Sequence, residues 1–390
     1  MKVVGKSLIL GAALAAVAGT SAVSQAAISV TLIPALNNYA TPNQTAGGIN
    51  NNGLIVGSSR YGGTSATYTN AYTYDLTTGT LTALPQPSNA TISMATGMGL
   101  NNSGQVAGNF YVNSSTFHAY SYSGGTATDL GTLIPAATGV AAFATTVNDS
   151  GVVGGYGTAA TSVSAFTATV TGGVATLTNY GTIGGTATFV YGINNSGKIV
   201  GYGTTAVAGV SHAFVSDPAT QTLVDLGTLG GLTSQANSIN DAGQIVGSSR
   251  TADSGTNSHA ALYSGGVWTD LGLLSGGTTS LAYDINNNGQ IVGAAATSGT
   301  ATNHAVLYQT VDLGNGLAAG QLIDLNTLID PASGWVLTSA TSINDSGWVI
   351  GVGSYGGQTR AYALQIPEPA SLAGLAVVAG ALLRRRKSRA

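Results

Sequence analysis

Ile49-Asn50-Asn51-Asn52-Gly53-Leu54-Ile55-Val56-Gly57 is the stretch on which the fold turns, because the chain repeats it. The pattern Ile-Asn-x-x-Gly-x-Ile-Val-Gly, with small departures, returns around Asn101, Asn148, Asn194, Asn240, Asn286 and Asn344. Successive anchor asparagines stand 51, 47, 46, 46, 46 and 58 residues apart. A fixed period of this length marks a repeat architecture, in which one supersecondary unit is stacked many times. Asn-x-x-Gly suits a hairpin loop, since Asn and Gly tolerate positive φ and an Asx side chain caps its own turn. These seven asparagines are therefore expected to be structural.

Working outward from Asn240, the unit 225–272 reads as four short strands separated by Gly, Asn, Asp and Ser turns, with no helical periodicity. The strands are expected at 225–231, 234–240, 244–250 and 259–263, with Gly265-Gly266 turning the chain into the next unit. Four strands in about 46 residues is the size of one β-propeller blade. A second phrase occupies the third-strand position seven times, beginning at Asn70, His118, Ser164, His212, His259, His304 and Arg360. Asp-Leu-Gly-Thr-Leu or a relative follows at Leu81, Asp129, Asn179, Asp225, Asp270 and Asp324, and is missing from the last repeat. Val30-Thr31-Leu32-Ile33-Pro34, ahead of the first hairpin, can supply that missing strand. The expected fold is all-β, a seven-bladed propeller closed by an N-terminal strand, which leaves no open sheet edge. The alternative is an open β-solenoid with capped ends.

Both termini read as addresses. Residues 1–26 form a secretory signal peptide: Lys2 and Lys6, an apolar run over 8–18, then Ser24-Gln25-Ala26 ahead of cleavage between Ala26 and Ala27. The repeat body follows over 27–366. From 367 to 390 the order is Pro367-Glu368-Pro369, an apolar segment over 371–383, and the basic run Arg384-Arg385-Arg386-Lys387. Apolar residues followed by cations make a stop-transfer pattern, and 13 residues fall short of a permanent span, which needs about 17 to 25. This segment strongly resembles the PEP-CTERM sorting signal of exopolysaccharide-producing Gram-negative bacteria. The resemblance implies Sec-type export, transient inner-membrane anchoring by a short transmembrane segment, and processing by exosortase. Delivery to the cell surface or extracellular matrix follows from it, with exopolysaccharide or matrix proteins as partners.

The phrases His-Ala-Phe, Asp-Leu-Gly-Thr-Leu-Gly-Gly and Ile-Asn-x-x-Gly-x-Ile-Val-Gly together resemble the HAF family of extracellular repeats, clearest over 192–293. His is replaced by Asn70, Ser164 and Arg360 in three of the seven copies. The resemblance implies an extracytoplasmic β-repeat protein and no particular activity.

Charge and composition narrow the function further. Seven of the 11 basic residues and the only glutamate lie in the terminal segments, so the body keeps 4 basic and 13 acidic residues, a net charge near −9. Such a surface repels phosphate backbones, so no nucleic-acid partner is expected. The chain has no cysteine, which excludes disulfides and thiolate chemistry.

His118, His212, His259 and His304 fall on one repeat position. Equivalent positions of a propeller lie around a ring, whereas zinc needs its ligands at about 2.1 Å from one ion. The histidines are therefore read as a structural hydrogen bond repeated per blade. Asp149, Asp241 and Asp345 in the hairpin turns are read as turn caps, and Asp129, Asp225, Asp270 and Asp324 as strand-end acceptors. No cofactor is expected. Calcium is the one candidate ion, although no Asp-x-Asp-x-Asp-Gly loop is present. Tyr61, Tyr68, Tyr111 and Tyr202 near turns are candidates for sugar platforms, with ordinary packing preferred. No catalytic, cofactor-binding or metal-ligating residue is assigned. The expected function is a non-enzymatic surface or matrix protein. The alternative is a secreted glycan-active enzyme with paired aspartates, for which the insertion holding Asp330 and Trp335 is the best candidate.

Overall fold

The repeated phrase folds as the hairpin between the two innermost strands of a blade. In blade 5, strands Gly230–Ile239, Ile245–Thr251, His259–Ser264 and Val267–Asp270 pair antiparallel in sequence order. The computed structural model describes residues 27–36, 44–61, 68–90, 92–113, 116–131, 141–159, 162–171, 174–253, 255–298 and 302–367. Over these residues the four-stranded unit recurs as seven blades. Their innermost strands are Gln44–Ile49, Ile92–Leu100, Ala142–Val147, Thr188–Ile193, Gly230–Ile239, Ser280–Ile285 and Trp335–Ile343, for blades 1 to 7. Single parallel pairings, Thr69 with Met94 and Ser211 with Thr233, link blade 1 to blade 2 and blade 4 to blade 5.

Each hairpin phrase carries its own reasons. Gly53 has φ +79°, a left-handed conformation that only glycine adopts without strain, and Gly243 repeats it at +79°. Ile55 and Val56 are both fully buried and point to opposite faces of the blade. Ile55 packs toward blade 7 and Val56 toward blade 2, so the phrase reads as an apolar run without alternation. A Cβ on Gly57 would overlap the Thr45 carbonyl of the neighbouring strand, which explains the closing glycine.

Seven buried clusters fill the seven blade interfaces. The closing one joins Ile33, Ile350, Ala361 and Ala363 to Ala46, Ile49, Ile55 and Tyr72. The last blade is completed from the other end of the chain: Val30–Leu32 pairs antiparallel with Gln358–Gln365, Val30 opposite Leu364. The ring is closed, as the propeller reading expects. The open solenoid fails because blade 7 packs on blade 1.

Two details of the sequence reading are corrected. Asp225 ends the outermost strand of blade 4, Thr222–Asp225, and the next strand opens at Gly230, so Asp-Leu-Gly closes a blade instead of opening one. In blade 1 the position equivalent to Asp129 is Ala83, opposite Tyr72 as Asp129 is opposite Tyr120, and not Leu81. The long last repeat holds two short 3-10 turns, Leu325–Thr327 and Pro331–Ser333, against which the N-terminus docks: Ile28 N–H donates to the Leu328 carbonyl at 2.8 Å.

The signal segment with Ala26, the motif residues Glu368 and Pro369, the apolar run and the basic tail lie outside the described residues, while Ala27 and Pro367 stand at their edges. Among the described residues no helix is long and apolar enough to cross a membrane.

Candidate functional site: the central channel

The seven anchor asparagines meet around the axis of the ring. Each uses its Oδ1 to accept the backbone N–H four residues on, at 2.8–3.0 Å, which caps its own hairpin. Each uses its Nδ2 to donate to the backbone carbonyl of the next anchor, at 2.9–3.2 Å, from Asn50 round to Asn344 and back to Asn50. All seven are 3–5% exposed. Asparagine carries its acceptor and its donor on two separate atoms of one short side chain, so it can cap its own turn and reach its neighbour at once. Each anchor thus makes one bond within its own hairpin and one across to the next blade.

A second ring lies one residue further along. The backbone N–H of Asn51, Asn102, Asp149, Asn195, Asp241, Asn287 and Asp345 donates to Oδ1 of the next member at 2.8–3.0 Å, and the cycle closes from Asp345 to Asn51. The three aspartates thus cap the turn of the preceding blade and not their own, which corrects the sequence reading. Asp149 accepts the amides of Asn102 and Asn195, at 2.9 and 3.1 Å. Asp345 likewise accepts those of Asn51 and Asn287, at 2.9 and 3.1 Å. An acceptor-only carboxylate needs a donor on each side, which is why Asp and Asn alternate from Asn102 to Asp345.

Behind the rings the innermost strands line a channel whose cavity is about 260 Å³. The pairing register of every innermost strand slips at a shared place, between Ala46 and Gly48 in blade 1 and at the matching position in the other six. Such a bulge re-aims the extra residue. Here it puts Gly47, Met98, Thr145, Tyr191, Asn237, Tyr283 and Thr341 on the channel wall.

Asp284, in the same wall, was not singled out by sequence reasoning. Its Oδ1 accepts Ser238 Oγ at 2.7 Å and Ile285 N–H at 2.9 Å; its Oδ2 accepts Ser342 Oγ at 2.6 Å and Ile343 N–H at 2.9 Å. One carboxyl therefore ties blades 5, 6 and 7. Burial raises its pKa above the ordinary carboxylate value, against the opposing effect of those hydrogen bonds. The matching residues of the other blades are Gly48, Gly99, Thr146, Gly192, Ser238 and Ser342, so an alignment of the repeats would have exposed it.

The four histidines stay apart, one each in blades 2, 4, 5 and 6. Each ring bonds through Nδ1 to an aspartate of its own blade: His118 to Asp129 at 2.9 Å, His212 to Asp225 at 2.8 Å, His259 to Asp270 at 2.7 Å and His304 to Asp324 at 2.6 Å. Three of these carboxylates also accept the N–H of the glycine two residues on, Gly131, Gly227 and Gly272, each at 2.8 Å. In the blades without the histidine the partner position holds Ala83, Asn179 and Leu32 instead of Asp. The pair comes or goes as a unit, and it pins the outermost strand to the third.

In the insertion singled out for the enzyme alternative, Asp330 and Trp335 have separate local partners. Asp330 accepts the Ala332 N–H at 2.8 Å and caps a turn, while Trp335 is 9% exposed and stacks on Tyr355 at 4.8 Å. Among the described residues no three His, Asp or Glu side chains converge as a metal ion would require.

No family model matches the sequence, and no curated protein matches it. Solved structures match in fold. The β-propeller domain of the trilobed protease from Pyrococcus furiosus, described as having an open velcro topology, superposes with a TM-score of 0.53 at 8% identity, over 85% of this chain and 99% of that one. A prolyl endopeptidase superposes with a TM-score of 0.50 at 11% identity, over 87% of this chain and 50% of that longer one. TolB from Acinetobacter baumannii gives a TM-score of 0.41 at 11% identity, over 81% of both chains. The chain is a β-propeller; at these identities the likeness concerns the fold alone.

Proposed function

We propose that the chain is an exported, non-enzymatic propeller of the cell surface or extracellular matrix, bearing a PEP-CTERM-type sorting signal and HAF-type repeats and associated with exopolysaccharide. The observation that carries this reading is where the ring closes relative to the two sorting patterns. The first closing contact is Ile28 N–H to the Leu328 carbonyl and the last is Ile366 N–H to the Gly347 carbonyl, both 2.8 Å. Cleavage between Ala26 and Ala27 and processing at Pro367-Glu368-Pro369 both fall just outside those contacts. Either cut leaves every strand of the ring paired, as a trimmed surface protein needs.

Fractionation of the producing cells, with the mass of the recovered protein, tests the proposal. The expected result is a matrix or surface species that begins near Ala27 and lacks the basic tail. A Glu368→Gln chain is expected to stay with the inner membrane. An intact, cytoplasmic wild-type chain contradicts the proposal.

A further inference from the structure

Among the described residues, blades 2 to 4 carry a feature that the other blades do not show. Phe117 on the third strand of blade 2 and rings on the two innermost strands of blades 3 and 4 form an unbroken contact series, with centroid distances of 5.4 Å from Phe117 to Phe143, 5.0 Å to Tyr156 and 5.1 Å to Phe189. It continues at 5.0 Å to Tyr202 and ends 5.9 Å away on Tyr191. Phe143 with Tyr156, and Phe189 with Tyr202, are direct cross-strand partners of the two innermost strands. The same pair of positions holds Thr45 and Ser58 in blade 1, Gln235 and Ser248 in blade 5, and Leu281 and Ala294 in blade 6. The aromatic replacement is therefore confined to one arc of the ring.

Interface packing does not account for it. The cores between blades 2 and 3 and between blades 3 and 4 are built from other side chains, such as Ala107 with Ala144 and Tyr180 with Val190. The rings of the arc are half-buried, and Tyr191, the bulge residue on the channel wall, is 37% exposed. Phe189 lies five residues before Asn194 along its strand, which places the arc about 16 Å from the asparagine ring, toward the other end of the channel.

The chemistry of the arc is specific. Tyr191 and Tyr202 stack with their ring centroids 5.9 Å apart, and burial, with Tyr202 alongside, raises the pKa values of Tyr156 and Tyr191 above the ordinary phenol value. The hydroxyls of Tyr156 and Tyr191 are neutral at any physiological pH. The inner strands of blades 3 and 4, Ala142–Val147, Val153–Ala159, Thr188–Ile193 and Ile199–Thr204, contain no charged residue. Aromatic faces beside neutral hydroxyls fit the apolar C–H faces and hydroxyls of a sugar ring. A polyanion would find no cation on these strands and would face a body with a net charge near −9.

We propose that the arc from Phe143 to Tyr191 is a carbohydrate-binding platform whose occupant is a neutral polysaccharide. This rests on the surface-protein reading and names the class of glycan it would hold.

The test is affinity electrophoresis of the full-length protein in gels containing dextran, laminarin or hydroxyethyl cellulose, with alginate as the anionic comparison. Retardation is expected in at least one neutral gel and not in alginate. Tyr191→Ala and Tyr202→Ala are expected to weaken it about tenfold, ~1.4 kcal/mol, and Tyr191→Phe, which keeps the ring, by less. Tyr355→Ala, an exposed aromatic of blade 7, is expected to bind as wild type. Circular dichroism of each variant separates loss of binding from loss of fold. Undiminished binding by folded Tyr191→Ala and Tyr202→Ala chains overturns the platform, as does retardation in alginate alone or in no gel. None of these results touches the fractionation outcome, so the platform can fail while the surface-protein reading stands.

Discussion

Asn344 donates its side-chain amide to the backbone carbonyl of Asn50, 2.9 Å away and 294 residues earlier in the chain. This bond is the seventh of a cycle and the one that crosses the seam between the last blade and the first. Its partner across the same seam is the strand Val30–Leu32, so closure is secured at the axis by side chains and at the rim by backbone pairing.

Asn344→Asp removes the donor and buries a carboxylate among carbonyls at a site 3% exposed. The expected cost is about 3 kcal/mol or more, beyond that of a neutral unmade hydrogen bond. Asn344→Ser keeps an acceptor for the Trp348 N–H but has no second polar atom to extend to the Asn50 carbonyl, so the cross-blade bond is lost at an expected cost of about 1 kcal/mol. Urea denaturation of both variants checks the order; a wild-type midpoint for Asn344→Ser would show that the cross-blade bond contributes nothing, and equal costs would show that the buried carboxylate adds no penalty of its own.

Deleting residues 27–33 exposes the edge of Gln358–Gln365 and empties the site of Ile33, which is 1% exposed. An unpaired edge recruits another chain. Size-exclusion chromatography is expected to show species larger than those of the intact chain. A deletion with unchanged elution and unchanged melting would refute closure by the N-terminal strand.

The His–Asp pairs differ in burial, and burial should set their value. His118 and Asp129 are 15% and 14% exposed, His212 and Asp225 22% and 44%. Double-mutant cycles to alanine are expected to give a larger coupling for His118–Asp129 than for His212–Asp225, the latter about 0.5 kcal/mol, as for exposed pairs. The reverse order would mean that burial does not govern them.

Asp284 makes a signed pH prediction. Its folded pKa is raised by burial, so its stabilising contribution is fully present below the unfolded value near 3.8 and is lost as pH rises through the folded value. Asp284→Asn cannot ionise and leaves one backbone N–H facing an amide, so it is less stable at low pH. Its deficit relative to wild type is expected to shrink as pH increases above the ordinary carboxylate range. Measuring urea midpoints of both proteins from pH 3 to 7 cancels the opposite trend from Asp75 and Asp217, whose pKa values are lowered mainly by hydrogen bonds from Thr77 and Ala219. A deficit that grows with pH would mean that Asp284 is stabilised as the anion.

Much of this architecture was legible because it is local and repeated. Asn-x-x-Gly with Ile-Val-Gly specifies a hairpin with both faces buried, and the sevenfold count with a spare strand at Val30 predicts closure. The His position was legible as structural, but its partner was not. Asp129 and Asp225 were visible only as strand ends, because pairing across strands depends on register. Register also hid the bulge, and with it the channel wall and Asp284. The alternation of Asn102, Asp149, Asn195 and Asp241 could be read as letters, yet its meaning lies between blades, where sequence spacing says nothing of distance. Tyr111 and Tyr202 were considered singly as sugar platforms. The series through Phe143, Tyr156 and Phe189 depends on three blades standing side by side.

The most direct test of the functional account is co-sedimentation of the full-length protein with the producing organism's own exopolysaccharide, with released reducing sugar assayed in the supernatant. The account predicts that the protein pellets with the polysaccharide and that no sugar is released. Release of sugar, or a protein that remains wholly in the supernatant, would contradict it.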